Sequence, residues 1–241
     1  MPMKAQAYKQ LADETAMRVT EDVQSWTAFL TTASRLYKYN YHDQLLIYAQ
    51  RPEATACAEY DVWNDTMRRY VRRGTKGIAL LDPSDNGMRV RYVFDVTDTG
   101  ERAHSRSVDL WQLDDRYEYA VQDMLAAQYD APVMDDLSSQ LDVAVVETIT
   151  QYWLAHKADI IDSVDGSALS GYDDGEIGAS FLDAALGGTT YILKQRCGLN
   201  PELSGDAAQE LSKWHAPAAA AALGRAINVM SGQVLRQIEA T

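Results

Sequence analysis

Residues 77–95 read Gly77-Ile78-Ala79-Leu80-Leu81-Asp82-Pro83-Ser84-Asp85-Asn86-Gly87-Met88-Arg89-Val90-Arg91-Tyr92-Val93-Phe94-Asp95. Pro83 to Gly87 is a run of turn formers. Proline presets φ, Asp and Asn bond their own backbone, and glycine takes positive φ without a steric cost. Beyond the turn, Met88, Val90, Tyr92 and Phe94 alternate with Arg89, Arg91, Val93 and Asp95. That is the two-residue period of a half-buried strand. The stretch predicts an antiparallel hairpin over 77–96.

Outward from the hairpin the period changes. Ala12, Met17, Val19, Val23, Trp26, Phe29, Leu30 and Leu36 recur at three-to-four spacing, which predicts helix over 5–36. A second helix is expected over 43–50, where Leu45, Leu46, Ile47 and Tyr48 are apolar. Arg51-Pro52 stops it, because proline disfavours helix at the residue before it. A short helix is expected over 61–68, carrying Trp63 and Met67, and then a short strand at Tyr70-Val71, with Gly74 and Gly77 as breakers. Residues 97–113 read as a polar loop. Helical patterns then fill 114–129, 138–163, 175–197, 203–213 and 217–240. The expected fold class is α+β and mostly helical: N-terminal helices with a small antiparallel sheet or hairpin, then an all-α bundle. Two domains are expected, 1–110 and 111–241.

A chain of 241 residues suffices for one large domain or two modest ones. With 46% hydrophobic and 24% charged residues its composition is ordinary for a globular protein. Its longest apolar run, Ala216 to Leu223, is mostly alanine, contains Pro217 and is too short for a bilayer. The N-terminal residues lack the apolar core of a signal peptide. Cys57 and Cys197 lie far apart and give neither a disulfide framework nor a metal spacing. The expectation is a cytoplasmic protein with no membrane partner and no cofactor.

The net charge of −13 argues at first against a nucleic-acid partner. Its distribution reverses that inference for half the chain. Residues 1–110 hold 15 Lys/Arg and 15 Asp/Glu, whereas residues 111–241 hold 7 and 20. Within the balanced half, Arg68, Arg69, Arg72, Arg73 and Lys76 lie together around Tyr70, with no acid between Asp65 and Asp82. Five phosphate contacts to a single strand imply a salt slope of about −3.5, or roughly a 100-fold loss of affinity between 50 and 200 mM salt. Upstream lies Tyr37-Lys38-Tyr39-Asn40-Tyr41-His42. Exposed rings beside cations suit unpaired bases, whose faces a duplex hides. The plainer readings are a solvated charge run and, for Tyr37 and Tyr41 four residues apart, a place in the core.

Five blocks carry a resemblance. They are Ala33-Ser34-Arg35-Leu36-Tyr37-Lys38-Tyr39; Asp43-Gln44-Leu45-Leu46-Ile47-Tyr48-Ala49-Gln50-Arg51-Pro52-Glu53-Ala54-Thr55; Trp63; Val71-Arg72-Arg73-Gly74-Thr75-Lys76-Gly77-Ile78; and Tyr92-Val93-Phe94-Asp95-Val96. In order and spacing they resemble the N-terminal domain of ArdC- and LtrC-like antirestriction proteins. The resemblance implies single-stranded-DNA binding during conjugation, with Tyr37, Gln44, Arg51, Trp63, Arg72, Arg73 and Lys76 at motif positions. Gln44, Arg51-Pro52 and Gly74 also have folding readings: helix packing, a helix stop and a tight turn. With the neighbouring rings and cations, the candidate DNA-binding set is Tyr37, Lys38, Tyr39, Gln44, Arg51, Trp63, Arg68, Arg69, Tyr70, Arg72, Arg73 and Lys76. In the second half, Leu186 to Leu199, Ala222 to Ile227 and Val234 to Glu239 are similar to the helical segment of large conjugative-element proteins that continue into a helicase or a methylase.

Longer ArdC-type proteins carry a zinc peptidase motif, His-Glu-x-x-His. Here His42, His104, His156 and His215 have no partner at that spacing. No Walker loop or nucleophile elbow is present either, and the expectation is a protein that is not an enzyme. Asp173, Asp174 and Glu176, with Asp162 and Asp165, read as an acidic loop without calcium-loop spacing. His156 reads as a boundary histidine, Trp214-His215 as a packing pair, and Cys197 as a core residue. The function expected is a single-stranded-DNA-binding accessory protein of a mobile element, whose partners include conjugation machinery. The alternative is an acidic inhibitor or adaptor of a host defence protein, acting through the 20 acids of residues 111–241.

Overall fold

A computed structural model describes residues 3–84, 87–108, 111, 113–203 and 205–241. Three helices open the chain: α1 (Met3–Val19), α2 (Val23–Arg35) and α3 (Tyr41–Gln50). The single helix expected over 5–36 is broken at residues 20–22. There the Asp22 carboxylate accepts the Ser25 N–H at 2.8 Å and restarts the helix, an N-cap that competes with continuation. Asn40 caps α3 in the same way, through the Asp43 N–H at 2.9 Å.

The hairpin forms as expected. Strand β3 (Ile78–Ser84) pairs antiparallel with β4 (Gly87–Asp95), in a register that sets Ile78 against Val93 and Ser84 against Gly87. The turn residues 85 and 86 lie outside the described residues. A strand the sequence reading missed, β1 (Cys57–Glu59), adds to the other edge of β4 and gives the order β1-β4-β3. The helix expected over 61–68 is one wide turn at Val62–Thr66. After it, β2 (Arg69–Val71), the strand expected at Tyr70-Val71, pairs with β5 (Thr99–Glu101) as a separate two-stranded ribbon, and β5 lies inside what read as a loop.

The corner between sheet and ribbon is built on two carboxylates. Asp95 Oδ1 accepts the Thr97 N–H and hydroxyl, while its Oδ2 accepts the N–H groups of Thr55 and Ala56. Asp98 accepts the Asp95 N–H and pairs with Arg51. Burial alone raises the Asp95 carboxyl, but the donors from Thr97, Thr55 and Ala56 override it and leave its pKa below the usual carboxylate range.

The second half is helical: α4 (Glu118–Gln128), α5 (Leu137–Ser163), α6 (Asp174–Arg196), α7 (Gly205–Lys213) and α8 (Pro217–Ala240). Asp173, Asp174 and Glu176, read as part of a loose acidic loop, are instead the start of α6. Asp173 and Glu176 form a reciprocal capping box. Pro217 sits in the first turn of α8, where its missing N–H costs nothing.

Two hydrophobic cores result. One holds Leu46, Ile47, Ile78, Leu80, Leu81 and Val93, beneath the three-stranded sheet. The larger one joins Trp26, Phe29, Leu30, Tyr41 and Leu45 to Leu141, Phe181, Leu193, Trp214, Leu223 and Leu235. The larger core therefore crosses the expected boundary near residue 110. Helix α3 serves both cores, which explains its run of apolar residues on adjacent positions. Gly224 lets α8 approach the Tyr41 ring, where any Cβ would overlap it. Each large side chain buried in these cores contributes about 1.5–3 kcal/mol. The chain is thus α+β and mostly helical, and among the described residues no helix is long and apolar enough to cross a membrane.

Candidate nucleic-acid interface

The β2–β5 ribbon gathers several cations that form no ion pair among the described residues. Arg69 faces inward, buried, with Nε–H donating to Thr99 Oγ1 at 2.8 Å and its Nη1 paired to Glu101 at 2.9 Å. Strand alternation then turns Tyr70 outward. Its ring is 41% exposed and lies across Gly100, where any Cβ would overlap it. The Arg102 guanidinium carbon lies 5.8 Å from the centre of that ring, with Nη1 donating to Asn64 Oδ1 at 2.8 Å.

Cations cluster at both ends of the ribbon. Antiparallel pairing of Arg69 with Glu101 sets Arg68 beside Arg102. The loop after β5 is tied to the same end: Ser105 Oγ donates to the Arg68 carbonyl at 2.6 Å, and the Arg106 N–H donates to the Met67 carbonyl at 2.9 Å. At the other end, the Arg72 N–H bonds to the Asp98 carbonyl and its Nη1 to the Thr97 carbonyl, at 2.9 and 2.8 Å. Arg73 and Lys76 follow around a turn in which Gly74 takes φ 88°. Arg68, Arg73, Lys76 and Arg106 are exposed and form no ion pair among the described residues. Arg68 itself has φ 55°, a sparsely populated conformation for a residue with a side chain.

The other sequence candidates stand elsewhere. Trp63 is 3% exposed and donates its indole N–H to the Phe94 carbonyl at 2.8 Å, so its ring belongs to the fold and offers no stacking face. Gln44 is buried, donating to the Leu36 carbonyl at 3.1 Å, and joins α2 to α3. Arg51 is engaged by Asp98. Tyr39 is half-buried and donates its hydroxyl to the Cys57 carbonyl at 2.7 Å. Tyr37 is buried, with its hydroxyl donating to Glu239 at 2.7 Å, and Lys38 pairs with the same carboxylate at 2.7 Å. Of the twelve candidates, Arg68, Tyr70, Arg72, Arg73 and Lys76 share the ribbon surface, with Arg69 beneath them. Arg102 and Arg106 were missed. The signal was present as Arg102, His104 and Arg106 on alternate positions, but the segment read as a linker.

The arginines of the hairpin are ion-paired, whereas the helix-borne Lys9, Arg18, Arg225 and Arg236 are exposed and form no ion pair among the described residues. On β4, Arg91 is held by Asp82, Asp43 and Glu59, and Arg89 by Asp82. Among the described residues no group of His, Cys, Asp and Glu is placed to hold a metal ion. Burial pushes both thiols, Cys57 and Cys197, up to about 12, which makes them poor nucleophiles. The chain matches no protein-family model, no curated protein and no solved structure.

Proposed function

We propose that this chain binds single-stranded DNA along the β2–β5 ribbon, as a non-enzymatic accessory protein of mobile DNA. The observation that carries the reading is an exposed tyrosine ring between two groups of arginine and lysine, in a molecule whose other strand-borne arginines are neutralised. Phosphates supply affinity through the cations and release counterions as they bind. Tyr70 offers a face on which an unpaired base stacks, an interaction a closed duplex does not provide. The resemblance of residues 33–96 to ArdC-type domains supports the same reading and adds the antirestriction setting.

The acidic half favours a second reading. The exposed carboxylates Asp130, Asp135, Asp159, Asp162 and Asp165 carry no ion pair among the described residues. Such a surface suits an inhibitor that occupies the DNA cleft of a host nuclease. Fluorescence anisotropy with a labelled thymidine oligonucleotide, and with the same strand annealed, separates the two. The first reading expects the single strand to bind more tightly than the duplex. Absence of binding to either, together with binding to a nuclease, would favour the second.

A further inference from the structure

A second cationic feature lies away from the ribbon. Arg35, Tyr37, Lys38, Trp111, Arg196 and Glu239 line an open pocket of about 230 Å³ where the end of α6 meets α2 and α8. Arg196 lies against two rings, its guanidinium carbon 5.0 Å from the Trp111 ring centre and 5.6 Å from that of Tyr37. This half-buried guanidinium has no hydrogen-bond acceptor among the described residues, and its Nε is fully buried without a partner. Burial accordingly lowers its pKa from the ordinary arginine value.

Glu239 does not answer that need. It lies in the pocket but accepts from the Tyr37 hydroxyl and from Lys38, and forms no ion pair with Arg196. A desolvated guanidinium left without an acceptor is costly unless something external supplies one. Two aromatic rings lie beside it, and a planar guanidinium offers the paired donors suited to two-point recognition of an oxyanion. Arg35 and Lys38 add positive charge at the rim against one carboxylate.

The pocket also adjoins the ribbon through bonded neighbours. Thr55 and Ala56 line it, and both donate to Asp95 Oδ2. The other oxygen of Asp95 holds Thr97, whose carbonyl accepts from Arg72. We propose that this pocket is a nucleotide phosphate subsite, in which Arg196 receives one phosphate of a DNA strand whose neighbouring units lie on the ribbon. The strand part of this assignment rests on the reading of the ribbon, whereas the phosphate part does not.

Isothermal titration calorimetry of the full chain with thymidine monophosphate, thymidine and inorganic phosphate tests it. The nucleotide should bind, the nucleoside should not, and phosphate should compete with the nucleotide. Arg196→Gln should weaken nucleotide binding at least tenfold. Lys38→Gln, at an exposed position that does not threaten folding, should weaken it about threefold. Equal binding of thymidine and its monophosphate would overturn the assignment. So would displacement by acetate as effective as by phosphate, or unchanged affinity in Arg196→Gln and Lys38→Gln. Oligonucleotide anisotropy on the same proteins keeps the two claims apart. If the oligonucleotide binds through Arg72 and Arg73 while the nucleotide does not bind, the pocket falls and the ribbon stands. If the nucleotide binds through Arg196 while the oligonucleotide does not bind, the strand part falls and a free-nucleotide phosphate site stands.

Discussion

The hairpin β3–β4 and the ribbon β2–β5 are both antiparallel and both arginine-bearing, yet they use their charge in opposite ways. On the hairpin, Arg91 bridges Asp43, Asp82 and Glu59, and Arg89 leans on Asp82. On the ribbon only Arg69 is ion-paired among the described residues, to Glu101, and the exposed cations at either end meet carbonyls, an amide or solvent. The difference comes from what lies across each strand. The hairpin faces Asp43 of α3, Asp82 of its own β3 and Glu59 of β1, so its arginines are structural. The ribbon opposes Tyr70 to Gly100 and leaves Tyr70 41% exposed. Local density of arginine is therefore a poor guide to a binding surface, and the nearest carboxylates decide.

The largest expected effect breaks the structural side of this contrast. Arg91→Ala leaves Asp43, 3% exposed, without its cation. The loss is expected to be about 3 kcal/mol of folding stability, read by denaturant titration. Oligonucleotide affinity of the folded fraction should not change. A variant that lost DNA binding but kept its stability would reverse the assignment of the two regions.

Arg72→Glu with Arg73→Glu attacks the functional side. Affinity for a single strand should fall at least tenfold, and the salt slope should shrink by about 1.4, two phosphates at about 0.7 each. The melting temperature should move little, since neither side chain is ion-paired among the described residues. Tyr70→Ala comes next. Loss of one stacked base is expected to weaken binding by about 1 kcal/mol, the low end for such contacts, in an anisotropy titration. Smallest is Arg89→Ala, whose exposed pair with Asp82 should contribute under about 0.5 kcal/mol to stability.

Much of the fold was legible where one signal dominated. The alternation of Met88, Val90, Tyr92 and Phe94 located the hairpin, and the periodic apolar residues located the later helices. The break between α1 and α2 was not, because the apolar spacing runs through it and only the Asp22 cap interrupts it. Strands β1 and β5 escaped because Cys57-Ala58-Glu59 and Thr99-Gly100-Glu101 lack the aromatic and β-branched pair that marked Tyr70-Val71, and three residues are too few for a period. The site divided along the same line. Arg68 to Lys76 was readable as a charge island. Which rings remain exposed was not, since Tyr37, Trp63 and Tyr70 differ only in the tertiary surroundings that cover the first two and leave the third exposed. Tyr37 and Tyr41, four apart, took the core reading that helical spacing had offered.

The central claim is that the ribbon's cations act together on phosphates. The most direct test is the logarithmic dependence of single-strand affinity on salt between 50 and 200 mM. Six cations, Arg68, Arg72, Arg73, Lys76, Arg102 and Arg106, imply a slope of about −4. A slope near zero, or a slope left intact by Arg72→Glu with Arg73→Glu, would contradict the account.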